Sequence, residues 1–220
     1  MSDRKKQYED ELKEKKSWKR TEGLDNSLAK REDYSRTKKW EYGGIYDKDG
    51  NPLVEKTSRS KERVKWDWAE CLKAEGATLT HNHPNDSCFS GADIRFAEKW
   101  GLMEIRATTA NGLTYCLRRP NDGDAKRGRL TDFGDRYQRE YESYYKNVTT
   151  KGYNAEAANH PYPSLSNFKD YESYAKEWNR VNKIRNGLLE KWNKKFDKWC
   201  SAWVRDHAKE YGWNYREELR

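Results

Sequence analysis

Residues 80–94 read Thr80-His81-Asn82-His83-Pro84-Asn85-Asp86-Ser87-Cys88-Phe89-Ser90-Gly91-Ala92-Asp93-Ile94. Side chains alternate between the two faces of a strand, so His81 and His83, one residue apart, point the same way and can reach one ion. Pro84 pushes the residue before it toward an extended backbone, which keeps the pair on the strand. Asp93 falls in the first turn of the helix that Ser90 opens and brings a carboxylate oxygen. Two imidazoles and a carboxylate, with a fourth position left for water, make the ligand set of a catalytic zinc site, whereas structural sites close the shell with four protein ligands. The plainer reading of the second half is a capping box, with Ser90 as N-cap and Asp93 three residues on. What argues for the metal is the two halves at such short range, in a chain with only four histidines. The other two, His160 and His207, have no matching partners.

Working outward, Ala77–Asn82 is the strand that runs into this motif. Upstream, Glu41–Tyr46 reads as a strand, Asp47-Lys48-Asp49-Gly50 as a turn, and Leu53–Glu55 as the returning strand. The Asp47-x-Asp49 start is not an EF-hand loop, because its glycine comes two positions early and Ser58 stands where a bidentate carboxylate is required. Asp67 caps a short helix with Trp68, Cys71 and Leu72 on its apolar side, and Gly76 suits a left-handed cap. Downstream, the helix from Ser90 carries Ile94, Phe96, Ala97 and Trp100 and stops at Gly101. Met103–Thr108 and Leu113–Leu117 form a second hairpin around Asn111-Gly112. These elements place an α+β domain at residues 40–120.

The flanks differ in texture. Residues 1–39 alternate in charge, and Tyr8, Leu12, Trp18, Leu24 and Leu28 are too sparse for a strong apolar stripe, which predicts a solvated helix followed by a linker. Residues 121–220 predict a helical extension. Phe133, Tyr137, Tyr141 and Tyr144 recur at helical spacing, residues 152–164 interrupt, and a stripe from Tyr171 through Trp178, Val181, Leu188, Trp192, Phe196 and Trp203 resumes. Such a stripe packs on the central domain or on a second copy of the chain. The competing use is stacking on nucleic acid in a basic groove.

Composition bounds the rest. With 220 residues, 34% hydrophobic and 37% charged, there is material for one core with polar appendages, helped by ten Trp and fifteen Tyr. The formal charge of +8 permits an acidic partner, but both signs are interspersed almost everywhere. Cys71, Cys88, Cys116 and Cys200 form no C-x-x-C pair, so a reducing, cytoplasmic setting is expected. A role for Cys88 as a nucleophile based by histidine would leave Asp93 unexplained. No apolar leader and no membrane-length apolar run is present, which predicts a protein without a membrane partner.

The segment with His81, His83, Ser90 and Asp93 resembles the JAB/MPN metallopeptidase family, whose motif is an upstream Glu followed by H-x-H-x7-S-x2-D, and in particular its RadC-like bacterial and phage branch with H-N-H-P. The likeness covers about residues 40–119, and the run Gly101–Pro120 resembles the strand pair that closes these domains. It implies a mixed sheet with flanking helices, zinc on His81, His83 and Asp93, and Ser90 beside the tetrahedral intermediate. Glu41 is the best match to the upstream glutamate that acts as base toward water, with Glu55, Glu70 and Glu75 as competitors. One departure stands out: six residues, not seven, separate His83 from Ser90.

The resemblance implies a zinc peptidase or isopeptidase acting on a protein or peptide substrate, such as the tail of a ubiquitin-like protein. The alternative is a catalytically idle metal domain, an interaction module for nucleic acid or for phage morphogenesis, whose basic extensions carry the partner and whose C-terminal helix can mediate oligomerisation. A toxin-like effector is a third reading.

Overall fold

The computed structural model describes residues 18–61, 63–128 and 130–219. It is a mixed α+β protein with a six-stranded mixed sheet and a long C-terminal helix. The first part of the expected N-terminal helix, residues 1–17, lies outside the described residues. Among the described residues no helix is long and apolar enough to cross a membrane. The four cysteines are buried and form no disulfide.

In chain order the elements are helix α1 (Glu22–Ser35), strands β1 (Tyr42–Tyr46) and β2 (Pro52–Thr57), helix α2 (Trp68–Leu72), β3 (Thr78–His83), α3 (Gly91–Trp100), β4 (Glu104–Thr109) and β5 (Leu113–Arg118). Helices α4 (Phe133–Tyr144), α5 (Lys151–Ala157) and α6 (Tyr171–His207) and strand β6 (Asn214–Leu219) follow. The sheet order is β2-β1-β3-β4-β5-β6. Only β3 and β4 are parallel, joined by a crossover through α3, and every other neighbour pair is antiparallel. The metal-motif strand β3 therefore sits inside the sheet, covered on both edges.

The chain divides into two compact units, Met1–Gln138 with Ser201–Arg220, and Arg139–Cys200. This partition differs from a domain at 40–120 with separate extensions in two ways. First, α1 is not a solvated appendage: Leu24 and Leu28 are buried in a cluster with Tyr46, and the helix packs on β1 and β3. Its inward stripe continues one turn on with Glu32, which is fully buried. A carboxylate in that register reads as solvated until its partner is known. Second, residues 214–219 are a strand, Leu117 facing Tyr215 and Cys116 facing Arg216 across β5 and β6.

Alternation along β3 and β4 gives the sheet two unlike faces. Toward α1 point Thr80, Glu104 and Arg106, and this face is a buried ion network. The Arg106 guanidinium donates to Glu32 at 2.6 Å, to Glu104 at 2.9 Å and to Glu218 at 2.7 Å. Arg20 and Arg118 add further bonds to Glu104. Three guanidiniums thus balance three carboxylates, the condition under which buried charge is tolerable. Burial alone would raise the pKa of Glu104, but Arg106, Arg20 and Arg118 hold it down to about 2.

The second unit is a pair of antiparallel helical runs. A π-helical stretch, Tyr145–Thr150, carries α4 on into α5, so the helix does not break at Gly152 as its sequence suggests. The α6 stripe packs back on this run: Trp199 stacks on Tyr144 at 4.3 Å, Phe196 meets Tyr141 edge-on at 4.6 Å, and Trp192 lies against Gly152. From Trp192 to Trp199 the stripe is thus covered by the chain's own helices, whereas Tyr171 and Trp178 at its start are exposed. At its far end, in the first unit, Trp203 packs on Phe133 and Tyr137.

Candidate metal centre

β3 carries Leu79, His81 and His83 toward α3, and both histidines are buried. The cross-strand neighbour of His81 on β1 is Gly43, which puts no side chain on that face. The indole of Trp66 fills the room; a Cβ on Gly43 would stand 2.6 Å from it.

The three predicted ligands meet. His81 Nε2 lies 2.8 Å from His83 Nε2 and 3.3 Å from Asp93 Oδ1, and His83 Nε2 lies 3.6 Å from Asp93 Oδ2. Ligand atoms about 2.0–2.1 Å from a zinc at tetrahedral angles stand about 3.3 Å from one another. The three separations, 2.8, 3.3 and 3.6 Å, bracket this value, so the donor set could close on such an ion with shifts of about half an ångström. Among the described residues this is the one group of His, Cys, Asp or Glu side chains placed to share a metal.

Neighbouring groups fix each ligand. His83 Nδ1–H donates to the Ser87 carbonyl at 2.9 Å, which leaves Nε2 as the nitrogen that could face a metal. Asp93 Oδ2 accepts from both the backbone N–H and the hydroxyl of Ser90, each at 2.7 Å, while Ser90 Oγ accepts from the Asp93 N–H. The capping box and the ligand are therefore the same pair of residues: the cap orients the carboxylate. With six residues between His83 and Ser90, Ser90 still sits at the cap beside Asp93. His81 is held differently, since its Nδ1 is buried without a hydrogen-bond partner of ordinary geometry.

The electrostatics follow from burial and charge. Burial disfavours the protonated form of His81, yet Asp93 and then Glu41 outweigh it and raise its pKa. For His83, burial and the repulsion of His81 lower it. Asp93 would be raised by burial, but the facing imidazoles pull it well below the carboxylate range. A pair of imidazoles pushed apart in this way beside an ionised carboxylate is an arrangement that a cation would relieve.

Glu41 immediately precedes β1 and is buried. Its N–H donates to Ser60 and its carbonyl accepts from Thr57 Oγ1, both at 2.7 Å, which anchors the backbone at this point. It lines a cavity of about 220 Å³ together with His81, Ser90 and Asp93, under walls formed by Val64, Trp66, Leu79, Phe96 and Ile105. The competing glutamates are engaged elsewhere: Glu55 accepts from Tyr46 Oη, Glu70 caps α2 and pairs with Lys56, and Glu75 pairs with Arg127.

One residue of the site escaped the sequence reading. Asn82, between the two histidines, points to the opposite face of the sheet. Its Oδ1 accepts from Tyr42 N–H at 2.7 Å and its Nδ2 donates to the carbonyls of Lys38 and Trp40. These three contacts bracket Glu41, so the strand that presents the imidazoles also ties down the segment that presents the carboxylate. The x of His-x-His carries no signal of this by itself.

Comparison of the chain with protein families, with curated proteins and with solved structures found no match.

Proposed function

We propose that the chain is a zinc-dependent metallopeptidase of the JAB/MPN type, hydrolysing a peptide or isopeptide bond in a protein substrate. The observation that carries this reading is the His81–His83–Asp93 cluster, its imidazoles buried and its carboxylate half-buried, with Glu41 lining the same cavity. Zinc held by the three ligands supplies Lewis acidity and brings the pKa of water to about 7. The chain's own groups do the rest. The Glu41 carboxylate takes a proton from water and delivers it to the departing nitrogen. Ser90 holds Asp93 through its hydroxyl and N–H, and its place on the cavity wall suits contact with the reacting carbonyl. Val64, Trp66 and Phe96 exclude bulk water, which strengthens each of these interactions. A ubiquitin-like tail is one substrate that the family resemblance suggests.

Two substitutions test the reading. Glu41→Gln should keep zinc and fold while hydrolysis of a peptide and isopeptide panel falls by about 10²–10⁴, the usual worth of a general base. Asp93→Asn should instead lose metal. Undiminished cleavage by Glu41→Gln would place the base elsewhere. No cleavage by zinc-loaded wild type across the panel would favour an idle interaction module.

A further inference from the structure

Helix α2 does not bury the side that its sequence predicts. Cys71 is buried, but Trp68 is 66% exposed and Leu72 is 38% exposed. An indole that open is unusual on a surface this polar, and its surroundings are unusual too. Trp68 meets Trp100 edge-on at 5.0 Å, Trp100 lies 6.4 Å from Phe96, and Phe96 lies 6.3 Å from Trp66. Trp66 and Phe96 are walls of the metal cavity. A track of aromatic contacts therefore leads from the candidate metal centre to the surface at Trp68, through half-buried Trp66 and Phe96 and the buried Trp100.

The rim of the track is basic. Arg63, at the cavity mouth, and Lys65 and Lys99 are exposed, and none has a carboxylate partner among the described residues. Lys99 Nζ lies 5.2 Å from the centroid of the Trp100 ring. Among the described carboxylates close by in sequence, Asp67 and Glu70 are occupied by the α2 capping box, Glu70 also by Lys56, and Glu98 is buried and accepts from Thr131 Oγ1.

We propose that this track is the substrate's docking surface, and that it takes an extended polypeptide segment in which acidic residues alternate with large apolar ones. The proposal rests on the metallopeptidase reading for the identity of the site at its inner end, and on the track itself for the rest. Apolar side chains cover the exposed Trp68 and the half-buried Trp66 and Phe96, while carboxylates meet Arg63, Lys65 and Lys99. The ring geometry favours a peptide over a single-stranded nucleic acid. Neighbouring rings are inclined at 78°, 48° and 40°, which makes a corrugated apolar surface and not a ladder of parallel faces on which bases stack.

The test is binding, measured by fluorescence anisotropy on the full chain held with chelator so that nothing is cleaved. The probe is a short labelled peptide alternating Glu with Leu or Phe, compared with its Lys-for-Glu counterpart and with a labelled oligothymidylate. The acidic peptide should bind best. Trp68→Ala should weaken it about tenfold or more, the scale of an aromatic anchor, with melting temperature unchanged because Trp68 is exposed. Lys65→Glu with Lys99→Glu should weaken it comparably and reduce its salt dependence. No binding, binding indifferent to these variants, or Trp68-dependent preference for the oligothymidylate would overturn the proposal. Since the assay needs no hydrolysis, failure of the chain to cleave any substrate would count against the metallopeptidase reading and leave this result to be judged separately.

Discussion

Ser90→Ala separates a serine that acts on the ligand from one that acts on the substrate. Ser90 caps α3 through its hydroxyl and donates that hydroxyl to Asp93 Oδ2. Losing the cap costs about 1 kcal/mol, and losing a hydrogen bond to a charged group costs about 1.5–3 kcal/mol. The Ser90 N–H bond to the same oxygen survives the substitution, so the two losses overlap, and about 2–3 kcal/mol is expected in urea denaturation of the chelated protein. Freed on one side, Asp93 should also bind metal more weakly, by about 10–100-fold as for other groups that orient ligands, read by competition with a chromophoric chelator. Ser90→Thr keeps the hydroxyl and should restore both. Wild-type stability and zinc affinity in Ser90→Ala would refute this reasoning, and a fall in kcat alone would assign the hydroxyl to the reacting carbonyl.

The ion network beneath α1 predicts acid lability. Glu104, held down to about 2 from an ordinary 4.5, contributes about 3 kcal/mol that is fully present above pH 4.5 and fades as the pH falls toward 2. Denaturation midpoints should therefore drop steeply below pH 4.5, and Glu104→Gln should flatten that drop; an identical profile in the variant would exclude the network as its cause. In the second unit, Gly152→Ala should destabilise by about 1–3 kcal/mol despite better helix propensity, because the new methyl meets the Trp192 indole at 2.2 Å. A raised melting temperature would show that the two runs are not packed this closely. Trp192→Ala should cost less than the about 3–5 kcal/mol of a fully buried tryptophan, since Trp192 is only partly buried.

What could be read from the sequence was what local rules determine. The Asp47–Gly50 turn, with Asp47 accepting from the N–H groups of Asp49 and Asn51, and the Gly101 stop at φ 68° follow from residue chemistry alone. The convergence of His81, His83 and Asp93 follows from a period of two and one helical turn. What escaped depends on partners distant in sequence. Glu32 in the α1 stripe makes sense only once Arg106 lies beneath it, and residues 214–219 pair as a strand only because the β5 edge is there to receive them. Trp68 failed in the opposite sense: helical periodicity predicted burial, but the five-residue helix α2 buries only Cys71.

The central claim is that His81, His83 and Asp93 hold a zinc ion, and metal analysis of the purified chain tests it most directly. About one zinc per chain is expected for wild type, from a ligand set of the kind that catalytic sites use. His81→Ala with His83→Ala should lose it, since one carboxylate cannot retain the ion alone. Wild type that takes up no zinc from a buffered supply, or a double variant that keeps its full complement, would contradict the account.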